Sequence, residues 1–198
     1  MHGLVNKAVE CFVRDTHGAA IWRDIASKVE PGLERFEPML LYADDMTDRC
    51  LSHLAAHLDM PVEAILEDLG TYLVFSRTTE ALRRLLRFGG VTYSDFLMSL
   101  DDLPDRVRLA VPDLVLPEIS VEQESEQIYK IRVGTGMVSF GYVLVGVLRA
   151  LADDYGTLVM LEHEGTDDAG VNRISIEVHE IDFSSGRAFD LTDRRATG

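Results

Sequence analysis

The hydrophobic pattern of this chain changes its period once, near Pro112 and Pro117, and that change restricts the fold more than any other feature. Before it, apolar residues recur every three or four positions, the spacing that shares one helix face. Leu4, Val5, Ala8, Val9, Phe12 and Val13 make the stripe of a first helix. Asp15 to Gly18 interrupts it, and Ala19 to Val29 resumes it around Trp22 and Ile25 until Pro31-Gly32. Tyr42 to Leu58 predicts a third helix capped by Asp44 or Asp45. Met60-Pro61 opens a short fourth over Val62 to Gly70. Helical spacing continues over Thr79 to Phe88, Thr92 to Leu100 and Asp101 to Val111. Beyond the two prolines, which bracket an extended linker, the pattern alternates. Ile128 to Val133, Leu158 to Glu164 and Ile174 to Ile181 predict strands, and Val138 to Leu151 a strongly apolar helix between the first two. Residues 121–198 thus predict an antiparallel sheet with a helix laid across it, and the fold class is α+β. The expected organisation is a helical amino-terminal subdomain over 1–60, an α+β subdomain over 61–183 enclosing a cleft, and a polar, fraying tail over 184–198.

Composition narrows the partners. The 198 residues, 46% hydrophobic, suit one domain or two small subdomains sharing a core. With 34 acidic against 19 basic residues the formal charge is −15. That excludes a nucleic-acid binder and docking on anionic lipid, which need a basic footprint. No apolar run approaches the roughly 20 residues of a membrane span, and Met1-His2-Gly3-Leu4-Val5-Asn6-Lys7 lacks the order of a secretory signal. Two cysteines, Cys11 and Cys50, are too few for a disulfide framework. A soluble cytosolic protein is expected.

Residue chemistry by itself offers no enzyme. His53 and His57 are four apart on a predicted helix, a spacing that converges on a metal, but the intervening Leu-Ala-Ala lacks a catalytic glutamate and no third ligand presents itself. His163 and His179 fall among Glu162, Glu164, Glu177 and Glu180, where an acidic solvated sheet face is the simpler account of a possible metal cluster. Cys11 lies near the first apolar stripe, as a structural cysteine would. Gly134-Thr135-Gly136 is too short for a phosphate loop and has no following lysine, so it reads as a strand-to-helix turn. The aliphatic excess on the first helix, the Ala64–Val74 region and Val138–Leu151 fits either a packed core or a pocket for an apolar ligand.

Several segments, taken in order, carry a resemblance. Met1-His2-Gly3-Leu4-Val5-Asn6-Lys7-Ala8, Trp22, Tyr42-Ala43-Asp44-Asp45, Gly70-Thr71-Tyr72 and Phe96-Leu97-Met98-Ser99-Leu100-Asp101-Asp102-Leu103 are followed by Val107, Pro112, Pro117 and Val143-Leu144-Val145-Gly146-Val147-Leu148. This series resembles the haem nitric oxide/oxygen-binding (H-NOX) family over about 180 residues. The resemblance implies a helical amino-terminal subdomain, a carboxy-terminal subdomain with an antiparallel sheet, and haem b between them. It also implies regulation of a signalling partner such as a histidine kinase or a cyclic-dinucleotide enzyme.

Two departures fall where such proteins hold haem. The histidine that ligates iron corresponds to Pro104, which has no lone pair to give. The Tyr-x-Ser-x-Arg motif that holds the propionates corresponds to Val133, Thr135 and Met137, of which only Thr135 keeps a hydroxyl. The walls stay apolar: Val5, Val9, Leu69, Val143, Val147 and Leu151, with Pro104 and Pro112, are the candidate lining. The sequence therefore predicts a heme-free sensory domain whose cleft takes a fatty-acid-like ligand or is packed shut. The alternatives are a haem sensor with an unusual axial ligand, one of His17, His53 or His57, and a metal enzyme using the strand histidines.

Overall fold

A computed structural model of the chain describes residues 1–76, 80–136 and 140–179. The first helix, α1 (Gly3–Thr16), begins where the His2 Nδ1 accepts the Leu4 N–H at 3.1 Å, a side-chain N-cap. Helix α2 (Ala19–Val29) follows the positive-φ Gly18. Helix α3 spans Asp45–Leu58, three residues shorter at its start than its pattern predicts. Asp44 stands at the cap position without capping, because its carboxylate accepts from the Met1 ammonium at 2.5 Å instead.

Helix α4 (Val62–Phe75) runs five residues past the expected stop at Gly70. That glycine ends nothing: it is where α4 crosses α8 (Phe140–Tyr155) backbone to backbone. A Cβ built on Gly70 would strike the Val143 carbonyl, and one built on Gly146 the Glu67 carbonyl. Thr71 Oγ1 shares its proton between the Glu67 and Gly146 carbonyls, and Arg149 pairs with Glu67 at 2.9 Å.

Helix α5 (Glu80–Arg87) is held against the end of α8 by Arg83 and Arg87, both paired with Asp154. The Arg87 guanidinium also lies 4.0 Å above the Tyr155 ring. Helix α6 (Tyr93–Met98) opens with a capping box between Thr92 and Asp95, which holds the Asp95 carboxyl below its ordinary range. A 3-10 turn over Leu100–Asp102 leads directly into α7 (Leu103–Ala110).

Among the described residues the sheet has four strands, all antiparallel, in the order β1-β2-β4-β3. Strands β2 (Ile128–Val133), β3 (Leu158–Thr166) and β4 (Asn172–His179) occupy the alternating segments, whereas the edge strand β1 (Ile119–Gln123) is not singled out by its pattern. Its five residues bury only Ile119 fully, so they offer too little alternation to read. The expected tail over 184–198 lies outside the described residues.

Two cores result. In the first, Val9, Phe12, Trp22, Ile25, Leu54 and Leu69 pack together. In the second, Leu144, Leu148 and Leu151 of α8 lie on Tyr129, Ile131, Ile174 and Ile176 of the sheet. Helix α4 gives Ile65, Leu66 and Leu69 to the first core and Val74 to the second.

Candidate functional site

The residues that the sequence marks for haem sit on three elements. Pro104 occupies the second position of α7, where the missing N–H costs nothing. Its neighbours Leu103 and Val107 enter the second core. Asp102 is at the cap position but makes no capping bond, because the 3-10 turn keeps its backbone helical. Asp101 does the local tying instead, its Oδ1 accepting the Val121 N–H at 2.8 Å and fixing the turn to β1.

Val133 ends β2 fully buried among second-core side chains. Thr135 is exposed in the turn toward α8, with Gly136 at φ 141°, and Met137 lies outside the described residues. The aliphatic candidates are divided between the cores. Val9 and Leu69, with Val143 against them, belong to the first; Val147 and Leu151 belong to the second. Val5 is half-buried, and Pro112 is exposed beyond α7, so the structure does not gather these two with the others.

Neither Pro104 nor Val133 carries a haem-binding group. Pro104 gives iron no donor atom, and the Val133 side chain gives a propionate no hydrogen bond. His17 follows α1, and His53 and His57 lie on α3; both helices build the first core. His163, expected on the acidic sheet face, instead points inward. It stacks on Tyr142 with 4.2 Å between ring centroids and uses both ring nitrogens, one with Asn172 Oδ1 at 3.1 Å and one accepting from Gly165 N–H at 3.2 Å. His179 does face outward, beside Glu177. Among the described residues no group of three or more His, Cys, Asp or Glu is arranged to hold a metal ion.

The cysteines are no better placed for chemistry. Burial pushes the Cys50 thiol up to about 11 and raises Cys11 as well, although Cys11 is only half-buried. At pH 8 a disulfide exchange reagent is expected to titrate Cys11 slowly and Cys50 only on unfolding. Two fast equivalents in native buffer would contradict this.

A separate concavity of about 400 Å³ opens between the carboxy-terminal end of α1 and the outer half of α4. Phe12, His17, Tyr72 and Phe75 line it, with Asp68 at its edge. The hydrophobic pattern does not mark it, because that pattern predicts an end of α4 at Gly70. Continued to Phe75, the helix puts Asp68, Thr71, Tyr72 and Phe75 on one face at three- and four-residue steps.

The model of the family described as Haem-NO-binding matches residues 2–163. The chain belongs to this family. Among solved structures, the H-NOX domain has the fold of an unliganded ferrous H-NOX protein mutant from K. algicida (TM-score 0.78, 18% identity, 91% of this chain and 98% of that one). It is similarly close to an H-NOX protein from S. oneidensis in its ferrous nitric oxide state (TM-score 0.74, 18% identity, 90% and 99%). In sequence it is 19% identical to soluble guanylate cyclase 89Db of Drosophila melanogaster over 160 residues, 81% of this chain and 24% of that protein. It is 20% identical to soluble guanylate cyclase gcy-31 of Caenorhabditis elegans over 188 residues, 93% and 27%. The H-NOX domain thus spans about a quarter of these cyclases. It is a sensory domain of the guanylate cyclase and H-NOX family, and none of its described helices is long and apolar enough to cross a membrane.

Proposed function

We propose that this H-NOX domain signals without haem, presenting the relation of its two cores to a signalling partner in the cytoplasm. The observation that carries this reading is Pro104: the position that should give iron its axial bond is a helix-starting proline with no donor atom. Val133 points the same way, since a side chain sealed in the second core has nothing to offer a carboxylate. A domain whose helices α4 and α8 serve both cores still couples them mechanically, so a partner has a defined surface to read. A histidine kinase or a cyclic-nucleotide or cyclic-dinucleotide enzyme is the partner class this reading favours.

The aliphatic walls lie in two packed cores, so the cleft is closed by protein unless a long-chain apolar ligand parts them. Expression with an ample haem supply tests the first point, and the purified protein is expected to show no stoichiometric Soret band. One haem per chain would overturn the proposal. Titration with palmitate, followed by thermal shift, tests the second: a ligand of the native state raises the melting temperature with concentration. No rise, with no co-purifying lipid by mass spectrometry, leaves the cleft closed.

A further inference from the structure

We propose that the cleft between α1 and α4 is an aromatic cage for an organic cation of the alkylammonium class. Its rings are set at angles to one another rather than stacked. The buried Phe12 ring is 5.6 Å from that of Tyr72 at 61° and 5.6 Å from that of His17 at 90°. Phe75 adds a fourth wall, three residues beyond Tyr72 on α4, and is half exposed although it is large and apolar. Phe12 is buried and serves as backing, so the ring surface open to a ligand is that of Phe75 with the partly buried Tyr72 and His17, and a cation over such a face meets the negative side of its quadrupole.

Two carboxylates among the described residues stand at the cleft. Asp68 stands on the lining, and the Asp15 carboxylate accepts the Tyr72 hydroxyl at 2.6 Å. That hydrogen bond fixes the ring and pushes electron density toward it, strengthening its attraction for a cation. Arg14, the nearest cation on α1, is turned to Glu10. The net charge of −15 concentrates small cations at the surface in general, and the cage gives them an apolar, aromatic stop. A bare metal ion would find one lining carboxylate and no cluster of ligands, whereas methyl groups around a positive nitrogen meet the rings at van der Waals distance. The volume of about 400 Å³ accepts a group of that size with room for its tether.

The probe is choline, compared with 3,3-dimethylbutan-1-ol, its neutral isostere, at constant ionic strength. Amide chemical-shift titration is expected to give saturable shifts confined to Thr16, His17, Thr71, Tyr72 and Phe75, with the neutral alcohol binding about tenfold more weakly. Phe75→Leu replaces an exposed ring by an aliphatic side chain and should weaken choline by a similar factor while leaving the melting temperature in place. Asp68→Asn should weaken it about threefold. Equal binding of the alcohol would show an apolar cleft without cation recognition. Shifts scattered over the acidic surface, or a Phe75→Leu protein that binds choline as well as the parent, would overturn the cage.

Discussion

Alanine in place of Gly146 is expected to destabilise the domain by about 3 kcal/mol, although in an open helix the same change stabilises by about 1 kcal/mol. The sign reverses because the new methyl meets the Glu67 carbonyl, a backbone atom that no rotamer change can remove. The helices must separate, and the hydrogen bond from Thr71 to the Gly146 carbonyl goes with the contact. Gly70→Ala meets the Val143 carbonyl and should behave alike. The two together should cost less than their sum, since the first already opens the crossing. Urea denaturation measures this. A Gly146→Ala protein as stable as the parent would mean that α4 and α8 do not touch here.

Glu10→Ala should cost about 2–3 kcal/mol and free the 30–42 segment from α1. The Glu10 side chain is only 2% exposed. One oxygen accepts from Lys7 at 3.0 Å and Arg14 at 3.4 Å, the other from the buried Phe36 N–H at 2.7 Å. Both cations reach solvent and lose little, so the larger part of the cost is the orphaned Phe36 amide. Trp22, the sole tryptophan, donates its indole N–H to Glu34 in the same segment, and its emission is expected to shift to the red. Glu10→Gln, which can still accept from Phe36, should retain about half the stability lost. Equal losses for the two variants would place the stabilisation in the ion pairs.

How far the sequence could be read depended on whether a residue's role is local. The alternation of β2 and the stripe of α1 follow from periodicity, and those elements appear where expected; β4 begins at Asn172, two residues before its predicted start at Ile174, and the predicted end at Ile181 lies outside the described residues. The family could be recognised through ordered segments such as Gly70-Thr71-Tyr72, and Pro104 declares its lack of a donor without coordinates. Gly70 is legible as a match and misleading as a helix stop, because what it meets across the crossing is Val143, far along the chain on α8. The same error hid the four-ring cleft. The glutamates beside His163 in sequence point to the acidic face, while its partners Tyr142 and Asn172 come from other elements. The division of the aliphatic candidates between two cores is likewise a tertiary fact.

The α4–α8 crossing also sets an order of events for a chain leaving the ribosome. Helices α1 to α4 can bury Val9, Phe12, Trp22, Ile25 and Leu54 together before any residue of the sheet has been made. The glycine face of α4 must then wait, with Val74 uncovered, until α8 emerges. Even then α8 has only β1 and β2 for its inner surface, because β3 and β4 follow it in sequence and β4 is the strand paired to both β2 and β3. Closure of the second half is therefore a long-range step taken after synthesis of the strands is complete, and it pays a loop-closure cost that the first half avoids. Nascent chains arrested after α4 should already protect Trp22 from quencher, whereas Tyr129 and Ile176 gain protected amides only once β4 is free.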